Sequence, residues 1–158
     1  MEKHVNMRKI GIVISAVVVG LDQFTKYLST QHLTVVDSIK VFPGFDLALS
    51  HNTGAAFGFL ANAAGWQRWF FIGLALVMSS IIYVWLGRLS AKNKQEAFGL
   101  SLILGGALGN LVDRITHGYV TDFILLYYKD WQWPAFNLAD SAICLGVVFL
   151  MPVLLKKT

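Results

Sequence analysis

Four long apolar runs dominate this chain, at roughly Ile10 to Leu28, Trp69 to Gly87, Ala97 to Leu111 and Ala135 to Leu155. Each is close to the span of about 20 helical residues that a bilayer core demands, and only helices or closed barrels can satisfy their backbone there. With 56% apolar and 14% charged residues, the 158-residue chain does not read as a water-soluble globule. The expected fold is an all-α membrane protein, a bundle of four transmembrane helices over about 10–28, 69–87, 97–115 and 135–155. A small β-rich extracytoplasmic insertion is expected over about 29–68. The third run is the shortest and needs Val112-Asp113-Arg114-Ile115 to complete it. No linker or repeat divides the sequence, so 1–158 is read as a single membrane domain.

The net charge of +4 is spread among the spans and does not form a nucleic-acid patch. Lys3, Arg8 and Lys9 precede the first run, Arg88, Lys92 and Lys94 lie between the second and third, and Lys156 and Lys157 end the chain. By the positive-inside rule these segments, and both termini, are expected to be cytoplasmic. Trp66, Trp69, Trp85, Trp131 and Trp133 fall at the expected interfaces, as an aromatic belt requires. The basic, apolar start leads into Asp22 and Lys26 without a small-residue cleavage site and reads as a retained span. Cys144, the single cysteine, is expected to be a small core residue.

Within the first outside loop, Val35 to Leu49 is rich in β-branched and aromatic residues and is broken by Phe42-Pro43-Gly44-Phe45, which predicts two short strands. Tyr119 to Tyr128 reads as another strand, and Pro134 as the entrance to the last helix. Residues 61–68 are expected to form a helical turn or interfacial segment, able to close over a site.

Polar residues inside the runs fall at one depth. Asp22 lies 13 residues from Lys9, Asn110 lies 14 from Glu96, and Asp140 lies 16 from Lys156. At the helical rise these are depths of roughly 20, 21 and 24 Å. A lone carboxylate there costs about 2.5 to 3.5 kcal/mol even on the lenient insertion scale, so Asp22, Asp113 and Asp140 should face one another or a wet cavity. Asp22 and Lys26 have ion-pair spacing. Ser79 and Ser80 give the second span a bracing role. Such a layer could serve as glue between helices, as an ion pathway, as a partner-binding seam or as a catalytic site. Gly105 and Gly109, in G-x-x-x-G spacing, offer a face for close helix approach.

The histidines His4, His32, His51 and His117 are scattered, and no metal site or cofactor is expected. A serine with Lys26 as its base is left open, though no spacing supports it. Carboxylates are the abundant chemistry: two aspartates sharing one proton can activate water against an amide.

Five blocks carry a family resemblance: Asp22-Gln23-Phe24-Thr25-Lys26, Asn52-Thr53-Gly54-Ala55-Ala56-Phe57-Gly58, Gly105 to Arg114, Val120-Thr121-Asp122-Phe123, and Phe136-Asn137-Leu138-Ala139-Asp140-Ser141. In that order they resemble the lipoprotein signal peptidases, the signal peptidase II family of bacterial inner membranes, over nearly the whole length. The departure noticed is Thr121, where an aliphatic residue is common. The resemblance implies that Asp122 and Asp140 are a catalytic pair. It also implies that Asp22, Lys26, Asn52, Gly54, Asn110, Asp113, Arg114, Asn137 and Ala139 bind substrate or support the site. Asn52, Arg114 and Asn137 are the candidates to hold a substrate backbone or the aspartates. The implied substrate is a membrane-spanning prolipoprotein whose cysteine bears diacylglyceryl, cut on the N-terminal side of that cysteine by a monomer in contact with membrane lipids. Without the resemblance, Asp22 and Asp113 rank beside Asp140, and Asp122 must fold back from its loop to join them.

Overall fold

A computed structural model describes residues 6–54 and 65–156. Four helices long and apolar enough to cross a membrane run α1 (Met7–His32), α2 (Trp66–Leu86), α3 (Lys94–Thr116) and α4 (Leu138–Lys156). Each runs through as one helix, without the mid-span break that an ion pathway of the half-helix kind needs. At one end sit β1 (Ile39–Phe42), β2 (Phe45–Asn52), β3 (Val120–Tyr128) and β4 (Trp131–Gln132), which form one antiparallel sheet in sequence order. The sheet therefore draws equally on both loops at that end and is not confined to the first.

The helices are inside-out relative to a soluble bundle, because their solvent is hydrocarbon. In α1 the buried face is Met7, Gly11, Ser15, Asp22, Lys26 and Ser29, while Val13, Val17, Leu21 and Phe24 face outward. Helix α3 is the hub, packed on the other three helices, with twelve of its 23 residues buried. That explains its short apolar run: a helix that touches little lipid has no need of a continuous apolar surface. Helix α2 is peripheral, burying Gln67, Ile72, Ile82 and Leu86. Its serines do not brace the others. Ser80 Oγ donates to Leu76 O in its own helix, and Ser79 Oγ has no hydrogen-bond partner among the described residues. Cys144 also departs from expectation: it is exposed on the outside of α4, where a thiol behaves as a small apolar group facing lipid. The tryptophans Trp66, Trp69, Trp131 and Trp133 are exposed at the sheet end.

Glycine sets the closest approaches. A Cβ on Gly109 would come within 2.6 Å of Asp22 Oδ2, and one on Gly106 would strike the Ala139 carbonyl of α4. Gly105 likewise faces Val18 and Ser15 of α1, so the small-residue face serves two neighbours at once. Since the obstacle at Gly106 is backbone, Gly106→Ala must push α4 away from α3. The expected loss is about 1–3 kcal/mol, read as a lower thermal unfolding midpoint in detergent, and an unchanged midpoint would contradict this packing.

The hairpin between β1 and β2 turns at Pro43-Gly44, with Gly44 at φ 95°, the type II pattern of proline followed by a positive-φ residue. Strand β3 begins fully buried from Val120 to Phe123 and then emerges. After β4 the chain continues beside β3: Ile124 N donates to Phe136 O at 2.9 Å, and Phe136 N to Ile124 O at 3.1 Å. This pairing keeps 133–137 out of the helix, so α4 starts at Leu138 and Pro134 lies ahead of its entrance. The C-terminal end of α3, at this same side of the bundle, is closed by Arg68, which stands in no motif block. Arg68 Nε donates to Arg114 O and its Nη2 to Ile115 O, both at 2.8 Å, filling carbonyls that a helix C-terminus leaves unpaired.

Candidate active site

The α4 entrance builds one side of the site. Asn137 Oδ1 accepts from Asp140 N at 2.9 Å while Asn137 N donates to Asp140 Oδ2 at 3.2 Å, a reciprocal capping pair three residues apart. Asp140 Oδ1 accepts from Asn110 Nδ2 at 2.8 Å. Both Asp140 oxygens are thus held by N–H donors from the start of its own helix and from α3.

The other side comes from the sheet. Asp122 lies in the buried part of β3, opposite Ser50 of β2. Its Oδ1 accepts from Asn137 Nδ2 at 2.7 Å and its Oδ2 from Asn52 Nδ2 at 3.1 Å. The Asn137 side chain therefore touches both acids' residues, the Asp122 carboxyl through its amide nitrogen and the Asp140 backbone through its oxygen. Its nitrogen also lies 3.1 Å from Asn110 Oδ1 and 3.3 Å from Thr121 O. Burial is the main force acting on Asp122, which is 2% exposed, and the negative charge of Asp140 adds to it. Together they push its carboxyl up to about 7, against the opposing pull of the Asn52 and Asn137 amides and of Lys26.

Beneath these acids lies a buried network. Lys26 Nζ is 2.8 Å from Asp22 Oδ2, 3.0 Å from Asp113 Oδ2 and 3.0 Å from Asn110 Oδ1. The i,i+4 pair of Asp22 and Lys26 forms as the spacing predicts, and Asp113 makes it a triad. All three ammonium hydrogens are engaged, and Ser141 Oγ donates to Asn137 O at 3.0 Å, so neither is arranged as a Ser–Lys nucleophile and base. Both carboxylates also reach backbone: Asp113 accepts from Thr121 N through Oδ2, the oxygen that Lys26 binds, and Asp22 accepts from Ala139 N through Oδ1, its other oxygen, each at 2.9 Å.

Arg114 bonds to no carboxylate among the described residues. Its Nη2 donates to Gly54 O at 3.0 Å, its guanidinium lies 4.9 Å from the centre of the Phe71 ring, and Gly54 N in turn donates to Asn52 Oδ1 at 3.0 Å. It thereby anchors the turn that leads out of β2. Ala55 to Gly58 of the second block and the 61–64 part of the segment expected to close over the site lie outside the described residues, as do Lys3, His4 and Lys157. Among the described residues no three His, Cys, Asp or Glu side chains are grouped to hold a metal ion.

The structure thus gathers Asp22, Lys26, Asn52, Gly54, Asn110, Asp113, Arg114, Asn137, Ala139, Asp122 and Asp140 at the sheet end of the bundle. Sequence reasoning did not single out Gln23, whose amide joins the network, or Phe71, which backs Arg114. Gln23 sits inside a motif block, and that was the one signal available for it.

Known proteins agree with this architecture. A profile of the family described as Signal peptidase (SPase) II matches residues 14–156. The lipoprotein signal peptidase of Acinetobacter baumannii is 49% identical over 146 residues, covering 92% of this chain and 82% of that protein. The lipoprotein signal peptidase of Coxiella burnetii is 46% identical over 142 residues, covering 90% and 87%. Two solved structures of bacterial membrane enzymes superpose with TM-scores of 0.86 and 0.84 at 31% identity, covering 99% and 100% of this chain and 93% and 99% of theirs. A polar site of this composition at the mouth of four spans, matched from end to end, means that the chain belongs to the signal peptidase II family and is a multi-pass bacterial membrane peptidase.

Proposed function

We propose that this peptidase removes the signal peptide from diacylglyceryl-modified prolipoproteins, cutting on the N-terminal side of the lipidated cysteine, with Asp122 and Asp140 as its catalytic pair. The observation that carries the reading is the Asn137 bridge, which ties the Asp122 carboxyl to the residue bearing the second acid. In the proposed reaction Asp122 begins protonated and Asp140 ionised. Asp140 takes a proton from water as its oxygen attacks the scissile carbonyl carbon, while Asp122 gives its proton to the carbonyl oxygen. When the tetrahedral species collapses, the C–N bond breaks, Asp140 passes its proton to the leaving nitrogen, and Asp122 recovers its own. No cofactor or metal enters the balance.

The setting suits a substrate that is itself a membrane helix. The acids lie at one end of the spans, so a signal helix beside the bundle would present its cleavage point at their level while the acyl chains stay in hydrocarbon. Arg8, Lys9, Arg88, Lys92 and Lys94 lie at the end opposite the sheet, which supports cytoplasmic termini and a site near the outer face. We infer a monomer, since both acids and all their partners come from one chain.

The pH profile tests the assignment of the proton. Asp122 must be protonated to donate, so activity should be lost as pH rises through its value of about 7, by about tenfold per unit beyond it. The rate of cleavage of a purified lipidated precursor should show that alkaline limb, and the same precursor without its lipid should be cut poorly. A rate that stays level to about pH 9 would remove Asp122 as the acid.

A further inference from the structure

Gln23 belongs to α1 and touches neither acid of the proposed pair, yet it binds both carboxylates beneath them. Its Nε2 lies 2.8 Å from Asp113 Oδ1, 3.2 Å from Asp22 Oδ2 and 3.2 Å from Gly109 O. Lys26, one turn further along α1, binds the same Asp22 and Asp113 from its own position. Two donors on one helix therefore fix the separation of two carboxylates that originate on α1 and α3.

What those carboxylates do next gives the arrangement its meaning. Asp113 holds the backbone N–H of Thr121, the residue immediately before Asp122. Asp22 holds the backbone N–H of Ala139, the residue immediately before Asp140. Consecutive Cα atoms are about 3.8 Å apart, so fixing one residue fixes its neighbour closely. The two holds differ in which oxygen they use, but in both the amide before an acid is pinned to one end of the same cross-piece.

We propose that Gln23 is a positioning residue which, together with Lys26, sets the distance between Asp122 and Asp140 by fixing the spacing of the Asp22 and Asp113 carboxylates. Lys26 supplies charge, but an ammonium on a flexible stem is a point charge with little directional preference. The Gln23 amide is planar, with its two hydrogens in fixed directions, and supplies the orientation that the ammonium lacks. The lack of a side chain at 109, where a Cβ would come within 2.6 Å of Asp22 Oδ2, lets α1 and α3 approach closely where Gln23 meets the Gly109 carbonyl.

The proposal rests on the Asp pair being catalytic, and its test separates the two ideas. In Gln23→Met the length is kept and the donors are lost, with no change in charge. The charged groups facing Asp122 are Asp140, Lys26 and Arg114, and all remain. The expected result on a lipidated precursor is a kcat about tenfold lower with KM unchanged, because the acids and not the substrate contacts have shifted. A wider pair weakens the push of Asp140 on Asp122, so the alkaline limb of the pH profile should also move to lower pH. A purely structural role would lower the folded fraction and leave that limb in place. If Gln23→Met does not fold, Gln23→Asn keeps a neutral amide but draws it back by one methylene from Asp113 and Asp22, and should lower kcat with the same shift.

An unchanged kcat, or a lower kcat with an unmoved limb, overturns the positioning role. Asp122→Asn and Asp140→Asn, assayed in parallel, report on the pair itself. If they are inactive while Gln23→Met behaves as wild type, only the Gln23 proposal falls, and if they retain turnover the pair falls whatever Gln23 does.

Discussion

Asp122→Asn and Asp140→Asn should each lower kcat for a lipidated precursor by about 10³-fold or more, the upper part of the range for losing an acid–base group. Asparagine is nearly isosteric in both places, which isolates the chemistry from the fold. At 140 the amide oxygen can still accept from Asn137 N or Asn110 Nδ2, so the capping pair that starts α4 survives in part. At 122 the amide oxygen can still accept from Asn137. What disappears is the capacity to exchange one proton between two acids. In the proposed reaction the acids work as a unit, so the double variant should be scarcely slower than either single one. Circular dichroism and the thermal midpoint in detergent should stay near those of the parent. Either single variant turning over at a parental rate would exclude the dyad.

Lys26→Met should have the largest effect on stability, about 3–5 kcal/mol. The side chains of Asp22 and Asp113 are 0% and 3% exposed, and Lys26 is the cation that neutralises them. Methionine fills much of the same volume but leaves two buried carboxylates without their shared cation, each also holding a backbone N–H at the site above. Such a variant should melt at a clearly lower temperature and be cleaved faster by an added protease. Adding Asp113→Asn removes one of the stranded charges and should recover part of the loss. A single variant that melts within about a degree or two of the parent would show that the triad contributes little.

The four spans were legible because the hydrocarbon core imposes a helix length that composition must obey. The polar layer was legible for a related reason: helical rise converts sequence distance into depth, and Asp22, Asn110 and Asp140 do meet at one level. Asp122 was not legible from the residues alone. Its place depends on Phe136 pairing with Ile124, and nothing in the periodicity of 119–137 announces a strand that returns beside another. The same pairing delays α4 to Leu138, so proline at 134 misled about the helix start. Cys144 misled because the usual equation of apolar with buried reverses where lipid is the solvent. Arg68, Gln23 and Phe71 escaped notice because a side chain reaching a carbonyl, a carboxylate or a guanidinium on another element leaves no regular spacing behind.

The return of the chain from β4 along Ile124 to Asn137 has a bearing on biosynthesis. A ribosome that has released three spans and the sheet has already delivered Asp122, but neither its asparagine bridge nor the second acid. With Asp122 and Asp140 as the proposed pair, proteolytic competence is then the last property a nascent chain acquires, gained as the final helix joins the bundle.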